Sequence, residues 1–188
     1  MSNAVSALGG AVCSDGIATI TEFGPQGMIT LRGDLSSGDV KEALTAAGFP
    51  PAEQREIAVE GDLSTCWMSP DEVLLLCAYA DVSKAIETLQ SNLGHTHALA
   101  VNVSDARAIF RVSGRHTRDV IAKLAPVDLG PHAFPVGSFR RTRLAQVAAA
   151  FHMRDEDTCE IICFRSVGQY MFDLLKKVSE PGSEVGYF

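Results

Sequence analysis

Two histidines, His95 and His97, form an H-x-H pair and are the first candidates for binding a metal ion. Histidine nitrogen is a common zinc ligand, but a zinc site needs three or four protein ligands. No Cys, Asp or Glu lies close to the pair in the sequence, and the preceding Gly94 is typical of a helix end. We therefore interpret the pair as a solvated loop and predict no metal site.

Cysteines and adjacent carboxylates give two further candidates. Cys159 and Cys163 lie four residues apart in a strand-like run, where that spacing corresponds to about 13 Å. We interpret them, like Cys77, as buried reduced thiols that pack in the core. Asp71 and Glu72 are neighbours at a strand entrance, so their side chains point apart and shared acid–base chemistry is not predicted.

Motifs that cradle nucleotide phosphates, G-x-G-x-x-G and G-x-x-x-x-G-K-[ST], do not occur in the sequence. The nucleophile motif G-x-S-x-G and the zinc motif H-E-x-x-H do not occur either. We therefore predict no catalytic, cofactor-binding or metal-binding residues in this chain.

Arginines form the remaining cluster of interest. Arg140, Arg141 and Arg143 follow a Pro- and Gly-rich loop that contains Phe134 and Phe139. A solvated face is the simplest interpretation of such a charge cluster. The alternative is an acidic partner surface, because arginine and aromatic side chains are enriched at interfaces, and we predict these five residues as a partner interface. The same two interpretations apply to a second set: Arg107, Arg111, Arg115 and Arg118.

The elements that must position these residues form two similar series. The first series has strands at 27–32, 56–60, 63–68, 73–78 and 98–103, a helix over 40–47, and a helix over 82–93 with Asp81 as its N-cap. The second has strands at 105–112, 141–153 and 158–164, a helix around 120–124, a loop from Pro126 to Gly137, and a last helix that Ser166 caps.

The two series indicate an internal duplication. Asp39–Leu44 and Asp119–Leu124 share the pattern D-V-x-x-x-L, and Asp71–Cys77 (DEVLLLC) corresponds to Asp157–Cys163 (DTCEIIC) in the same order. We predict an α+β fold of two tandem ferredoxin-like split β-α-β units. The predicted segments are an N-terminal arm (1–16), a first repeat unit (17–103), a second unit packed on the first (104–179) and a C-terminal tail (180–188).

Composition excludes several classes of function. The chain of 188 residues has a formal net charge of −7, which disfavours binding to nucleic acid or to an anionic membrane surface. No apolar run approaches the roughly 18 residues of a spanning helix, and the N-terminus lacks the basic start and apolar stretch of a signal peptide. We expect a globular, cytoplasmic protein.

Several longer strings resemble the gamma subunit of heterotetrameric sarcosine oxidase. They are VSALGGA near the N-terminus, ITEFGPQGMITLRGDL at 20–35, WMSPDEVLLLC at 67–77, VNVSDARAIFRVSGRHTRDVIAK at 101–123 and DLGPHAFPVGSFRRTRLAQ at 128–146. Together with the final strand and helix, they cover most of the chain. The resemblance implies a fold like the folate-binding, aminomethyltransferase-like domain of the glycine-cleavage T-protein, which contains ferredoxin-like halves.

The resemblance also implies partners and a reaction. In that family, larger alpha and beta subunits, with a small delta subunit, form a complex that holds FAD, FMN, NAD and tetrahydrofolate. The complex oxidises sarcosine to glycine, produces hydrogen peroxide and transfers the one-carbon unit to tetrahydrofolate. The gamma chain itself is expected to hold no cofactor and to support assembly, burying its N-terminal arm and the 132–143 loop against a larger chain. In isolation, its orphaned interface is expected to favour homo-oligomers.

Two alternatives come from other classes of function. The first is a stand-alone folate-binding or aminomethyltransferase-like protein, although the K-G-C-[YF]-x-G-Q-E tract of the wider folate-binding relatives does not occur here. The second is an independent oxidase, for which a dinucleotide-binding motif would be needed. Tetrahydrofolate binding by the isolated chain would favour the first, and flavin colour in the purified chain would favour the second.

Overall fold

The computed structural model describes residues 4–187, which divide into two compact units. One unit is continuous and spans residues 26–104, and we call it the continuous unit. The other combines the residues up to Pro25 with those from Asp105 onward, and we call it the discontinuous unit. Residues 1–3 of the predicted arm and residue 188 of the predicted tail lie outside the described residues.

Eleven strands and four α-helices make up the described range. The strands are β1 (Val12–Cys13), β2 (Thr19–Phe23), β3 (Gly27–Arg32), β4 (Ile57–Glu60), β5 (Leu63–Ser69), β6 (Glu72–Cys77), β7 (Leu99–Asn102), β8 (Arg107–Ser113), β9 (Phe139–Leu144), β10 (Val147–Asp155) and β11 (Thr158–Phe164). The helices are α1 (Gly38–Ala46), α2 (Val82–Leu93), α3 (Thr117–Ala122) and α4 (Gly168–Val178). None of these helices is long and apolar enough to span a membrane.

The continuous unit is a five-stranded antiparallel sheet in the order β4-β5-β6-β3-β7. Alternate residues of β3 and β6, such as Ile29 and Leu75, pack with α1 and α2 in one apolar core. Helix α1 begins after Ser37, whose hydroxyl accepts a hydrogen bond from the Val40 amide at 3.3 Å. That bond satisfies one of the free N–H groups of the first turn.

The discontinuous unit is a six-stranded antiparallel sheet in the order β1-β2-β8-β11-β10-β9. Helices α3 and α4 cover one face, where Phe110, Phe151 and Met171 are completely buried in a second core. Because β2 comes from the N-terminal segment, this core needs residues from both ends of the chain.

The two sheets confirm the predicted duplication. The order β7-β3-β6-β5-β4 in one unit corresponds to β2-β8-β11-β10-β9 in the other. Counted by element order, the second repeat begins at β7, because the series β7-β8-α3-β9-β10-β11-α4 has the same order as β2-β3-α1-β4-β5-β6-α2. The first strand of each repeat then pairs in the sheet of the other repeat: β2 pairs with β8, and β7 pairs with β3. The α+β, ferredoxin-like fold class is therefore correct, with the first strand of each repeat exchanged.

Local details differ from the sequence-based expectations. The range 141–153 holds two strands, β9 and β10, which turn at Ala145 with a positive φ of 50°. Neither Asp81 nor Ser166 caps a helix with its side chain, because a short 3-10 turn precedes both α2 and α4. Residues 17–25 belong to the discontinuous unit, whereas we expected them in the first repeat.

Candidate functional site

The arginines predicted as a partner interface lie on β9, the edge strand of the six-stranded sheet. Arg141 and Arg143 are exposed, and their partners in β10 are Ala150 and Ala148. Paired residues extend from the same face of a sheet, so both guanidinium groups rise beside small side chains on the face opposite α3 and α4. These two arginines therefore lie on one surface.

Both phenylalanines of the predicted interface are buried. Phe134 and Phe139 are only 0% and 1% exposed, so neither ring is available on the surface as the predicted partner interface would require. The Phe134 ring packs against Phe151 with ring centroids 5.4 Å apart. Arg140 is half-buried, lies 5.3 Å from the Phe134 ring centroid and donates to the Phe139 carbonyl oxygen at 2.9 Å. These contacts anchor the loop within its own unit.

A buried arginine explains why the loop turns inward. The Arg118 guanidinium donates hydrogen bonds to the carbonyl oxygens of Leu129 and Phe134 at 2.8 and 2.9 Å. These two carbonyl groups lie in the loop, outside the hydrogen bonds of a strand or helix, and Arg118 supplies their donors. The interpretation of Arg118 as a solvated side chain was wrong, because Arg118 is buried. Arg115, in the turn before α3, is exposed.

Strand register brings two arginines of each set onto one face. Arg111 pairs with Glu160, which pairs with His152, so all three lie in one cross-strand row. Arg107 lies on the same face, two residues before Ile109 in alternation. Two aromatic rings accompany these arginines, since Arg111 lies over Phe23 at 4.6 Å and Arg107 over Phe164 at 5.3 Å. We call this surface the arginine face; its arginines are Arg107, Arg111, Arg141, Arg143 and Arg154.

Glu160 is the buried carboxylate of the arginine face. Arg111 Nη2 and Arg154 Nη1 donate to its Oε1 atom at 2.6 and 3.0 Å. The Nε2 atom of His152 lies 3.3 Å from Oε2, close enough for an ion pair but not aligned for a hydrogen bond. One carboxylate therefore fixes the orientation of two guanidinium groups on the surface.

The surroundings of Glu160 lower its pKa. Burial by itself would raise the pKa of this carboxyl, because a buried charge loses its hydration. The interactions with His152 and Arg111 outweigh burial and lower the pKa from 4.5 to about 2. Glu160 is therefore ionised at neutral pH. The arginine face combines fixed cations with aromatic edges, an arrangement that suits recognition of carboxylates on a partner.

A second buried carboxylate, Glu22, holds the N-terminal segment. Its oxygens accept hydrogen bonds from the Ser6 hydroxyl and from the amides of Leu8 and Gly10 at 2.7 to 2.8 Å. Leu8 also packs against the core of the discontinuous unit. The segment expected to be a partner-binding arm is thus packed on its own unit.

The other sequence candidates fit their simpler interpretations. His95 and His97 lie exposed in a turn after α2, and Cys159 and Cys163 are buried in the core. Burial raises the pKa of both thiols, that of Cys163 to about 11. Across residues 4–187, no group of three or more potential ligand side chains is arranged to hold a metal ion.

Neither buried carboxylate was predicted from the sequence as a functional residue. Glu160 had a detectable signal: a charged residue inside the apolar run Cys159–Cys163, opposite a strand of alternating arginines. Glu22 had none, because its three donors lie in a segment without any periodic pattern.

The two-sheet architecture is that of the aminomethyltransferase-like class. A chain of heterotetrameric sarcosine oxidase from Corynebacterium sp. U-96 has a TM-score of 0.77 and 24% identity, over 89% of this chain and 88% of that chain. The glycine cleavage system aminomethyltransferase T from Bartonella henselae has a TM-score of 0.60 and 14% identity, over 85% of this chain but 45% of that one. At these identities the similarity shows the fold.

The family follows from the sequence itself. The model of the sarcosine oxidase, gamma subunit family matches residues 35–180, which include all four helices and β4 to β11. This chain belongs to that family. No curated protein sequence matches the chain at a significant level.

Proposed function

We propose that this chain is the accessory gamma subunit in a heterotetrameric sarcosine oxidase and that its role is assembly rather than catalysis. The observation that carries the proposal is the family match over residues 35–180, which includes most strands of both sheets. The reaction implied for the complex is oxidation of sarcosine to glycine, with formation of hydrogen peroxide and transfer of the one-carbon unit to tetrahydrofolate.

The proposed partners are larger alpha and beta subunits and a small delta subunit. FAD, FMN, NAD and tetrahydrofolate would be held in those subunits, and the complex would work in the cytoplasm. The similar Corynebacterium protein is a heterotetrameric sarcosine oxidase, which supports a multi-subunit arrangement.

The arginine face is the surface proposed to bind an acidic region of a larger subunit. Five arginines lie on that face and two of them, Arg111 and Arg154, pair with the buried Glu160, whereas the whole chain has a formal net charge of −7. Electrostatic complementarity of this kind selects partners and accelerates association. Arg143→Glu on β9 should weaken subunit capture about tenfold or more, because it places like charges together. The matched variant Arg115→Glu carries the same charge change away from β9 and should capture normally.

Affinity purification tests the proposed function directly. The tagged chain would be recovered from its own cells, and its partners identified by mass spectrometry together with an absorbance scan. Co-purification of larger subunits with flavin absorbance supports the proposal. Recovery of a lone, colourless chain that binds tetrahydrofolate in calorimetry would instead support the stand-alone folate-binding alternative, which at present has only the fold similarity behind it.

A further inference from the structure

Strand β7 leaves an open hydrogen-bonding edge on the continuous unit. It is the last strand of the five-stranded sheet, with β3 on one side. The Val103 amide donates to the Met28 carbonyl oxygen at 2.9 Å, and hydrogen-bonded pairs alternate along an antiparallel ladder. The backbone groups of Ala100 and Asn102 therefore point away from β3. Within residues 4–187 they have no backbone partner on that side.

The same strand also exposes apolar side chains. Leu99 is 56% exposed and Val101 39% exposed, on one face of the strand, while Ala100 between them is buried in the core. The range 88–104 contains no Asp, Glu, Lys or Arg. Soluble proteins normally protect sheet edges with charges, prolines, bulges or very short strands, because an open edge pairs with other chains. Strand β7 is short, with four residues, but it carries no charge, proline or bulge.

The other three sheet edges do carry such protection. Strand β9 carries three arginines, and β1 has only two residues. Strand β4 ends at Glu60 and is followed by Asp62. The open edge of β7 is therefore a particular feature of that strand, which indicates that something covers it.

We propose that β7 binds an extended, uncharged segment of a larger partner subunit as an added antiparallel or parallel strand. This inference rests on the proposed function for the existence of that subunit. Backbone hydrogen bonds would supply affinity, and contacts with Leu99 and Val101 would supply selectivity for apolar side chains. A charged segment is disfavoured, because residues 88–104 carry no charge and the neighbouring Arg32 of β3 already pairs with Asp71 and Glu72.

A second copy of the chain is the less suitable occupant. Four residues span about 13 Å, and pairing β7 with its own copy would bury far less than the roughly 800 Å² per partner of a stable interface. A larger subunit can add a strand here and extend its contacts beyond the sheet, so its segment is the occupant that the size of the edge favours.

Hydrogen exchange on the unmodified protein tests the edge without altering its fold. The assembled complex would be compared with the isolated chain, and peptides covering 98–103 should exchange about tenfold more slowly in the complex. Peptides covering the opposite edge, 57–60, serve as the internal control and should not change. Equal exchange at 98–103 in both states would overturn the proposal.

Capture by edge variants supplies the second test. Leu99→Lys and Val101→Lys place a charge on the edge, and each should reduce capture of the larger subunits about tenfold. The matched control is Val59→Lys, because Val59 is 63% exposed on the opposite edge strand, and it should capture normally. Circular dichroism would check that all three variants are folded.

The outcomes separate the two proposals. If the unmodified chain captures no subunit, the proposed function fails, and the edge assignment with it. If it captures subunits and both β7 variants do so equally well, only the edge assignment is overturned. If the isolated chain forms a dimer that Val101→Lys dissociates, a second copy occupies the edge and the assignment to a partner segment is wrong.

Discussion

At the scale of single residues, two buried carboxylates organise the surface of the discontinuous unit. Glu160 orients Arg111 and Arg154 on the arginine face, and Glu22 accepts three hydrogen bonds from the N-terminal segment. Each carboxylate is stabilised by donors that lie far from it in sequence or on another strand. Removing either carboxylate should therefore leave buried donors without their acceptor. This should lower the unfolding free energy more than the loss of a surface ion pair would.

Glu160→Gln should reduce stability in a pH-dependent way. Since folding lowers the pKa of Glu160, its stabilising contribution is complete above about pH 4.5 and is lost as the pH falls toward 2. The variant should therefore lose up to about 3 kcal/mol of unfolding free energy at pH 7, and the difference from the unmodified protein should shrink at pH 3. Urea unfolding at both pH values measures this, with the exposed Glu184→Gln as the control.

Glu22→Ala should release the N-terminal segment. Three hydrogen bonds to its carboxylate are lost, and we expect a loss of about 2 kcal/mol or more in unfolding free energy. Limited proteolysis within residues 5–12 should accelerate, while cleavage elsewhere stays unchanged. Glu184→Ala, in the exposed C-terminal tail, is the control. Unchanged cleavage in Glu22→Ala would show that the segment is held by packing alone.

At the scale of elements, β9 and the loop before it divide into an inward and an outward part. Phe134 and Phe139 belong to the interior, whereas Arg141 and Arg143 belong to the surface. Alternation places Phe139, Arg141 and Arg143 on the same face of β9, where Phe139 is buried beside His152 and the two arginines are exposed. The loop has no such periodicity, and Arg118 fixes its path through bonds to two loop carbonyls.

Phe134→Ala should be much more destabilising than an arginine substitution on β9. Deleting a fully buried phenylalanine ring typically costs about 3–5 kcal/mol, while Arg143→Ala on the surface should change unfolding free energy by no more than about 0.5 kcal/mol. Urea unfolding measures both. If Phe134→Ala left stability unchanged but abolished subunit capture, the original assignment of this residue to the interface would be restored.

Much of the element pattern could be predicted from the sequence, and the failures have physical causes. The strands around Ile29 and Leu75 and the helix with Leu89 have clear periodicity, and the structure confirms them. Strand β2 was missed because its five residues lie in a segment whose partner, β8, is far along the chain. The β9–β10 turn was missed because Ala145 has no turn-type signal in sequence.

The arginine face was only partly predictable. The sequence shows two arginine sets, but nothing local indicates that they share a surface. Arginines of the two sets share a face because of the register between β8, β11 and β10, which places Arg111, Glu160 and His152 in one row. Cross-strand register is set by tertiary packing rather than by local propensity.

At the scale of the whole molecule, the exchanged strands tie the two halves of the sequence together. Each repeat gives its first strand to the sheet of the other repeat, so cutting the chain between the repeats does not separate two complete folding units. The expected boundary at residue 17 follows the order of the sequence, whereas the unit boundary near residue 25 follows strand pairing.

Fragment complementation should reveal this exchange. A fragment of residues 105–188 lacks β2 and its buried Ile20, and it should not fold cooperatively alone. Adding a peptide of residues 1–25 should restore dispersed amide signals in its NMR spectrum. A peptide of the same length with Ile20→Asp is the control and should not restore them, because it places a charge in the core. A fully dispersed spectrum from the fragment alone would contradict the need for β2.

The central claim, that this chain is a gamma subunit of a sarcosine oxidase, has one direct measurement. The complex captured by the tagged chain would be made anaerobic, and its flavin absorbance followed as sarcosine is added. We expect sarcosine to bleach the flavin absorbance, and hydrogen peroxide to form when oxygen returns. A colourless protein of 20.1 kDa, or a flavin complex that sarcosine does not reduce, would contradict it.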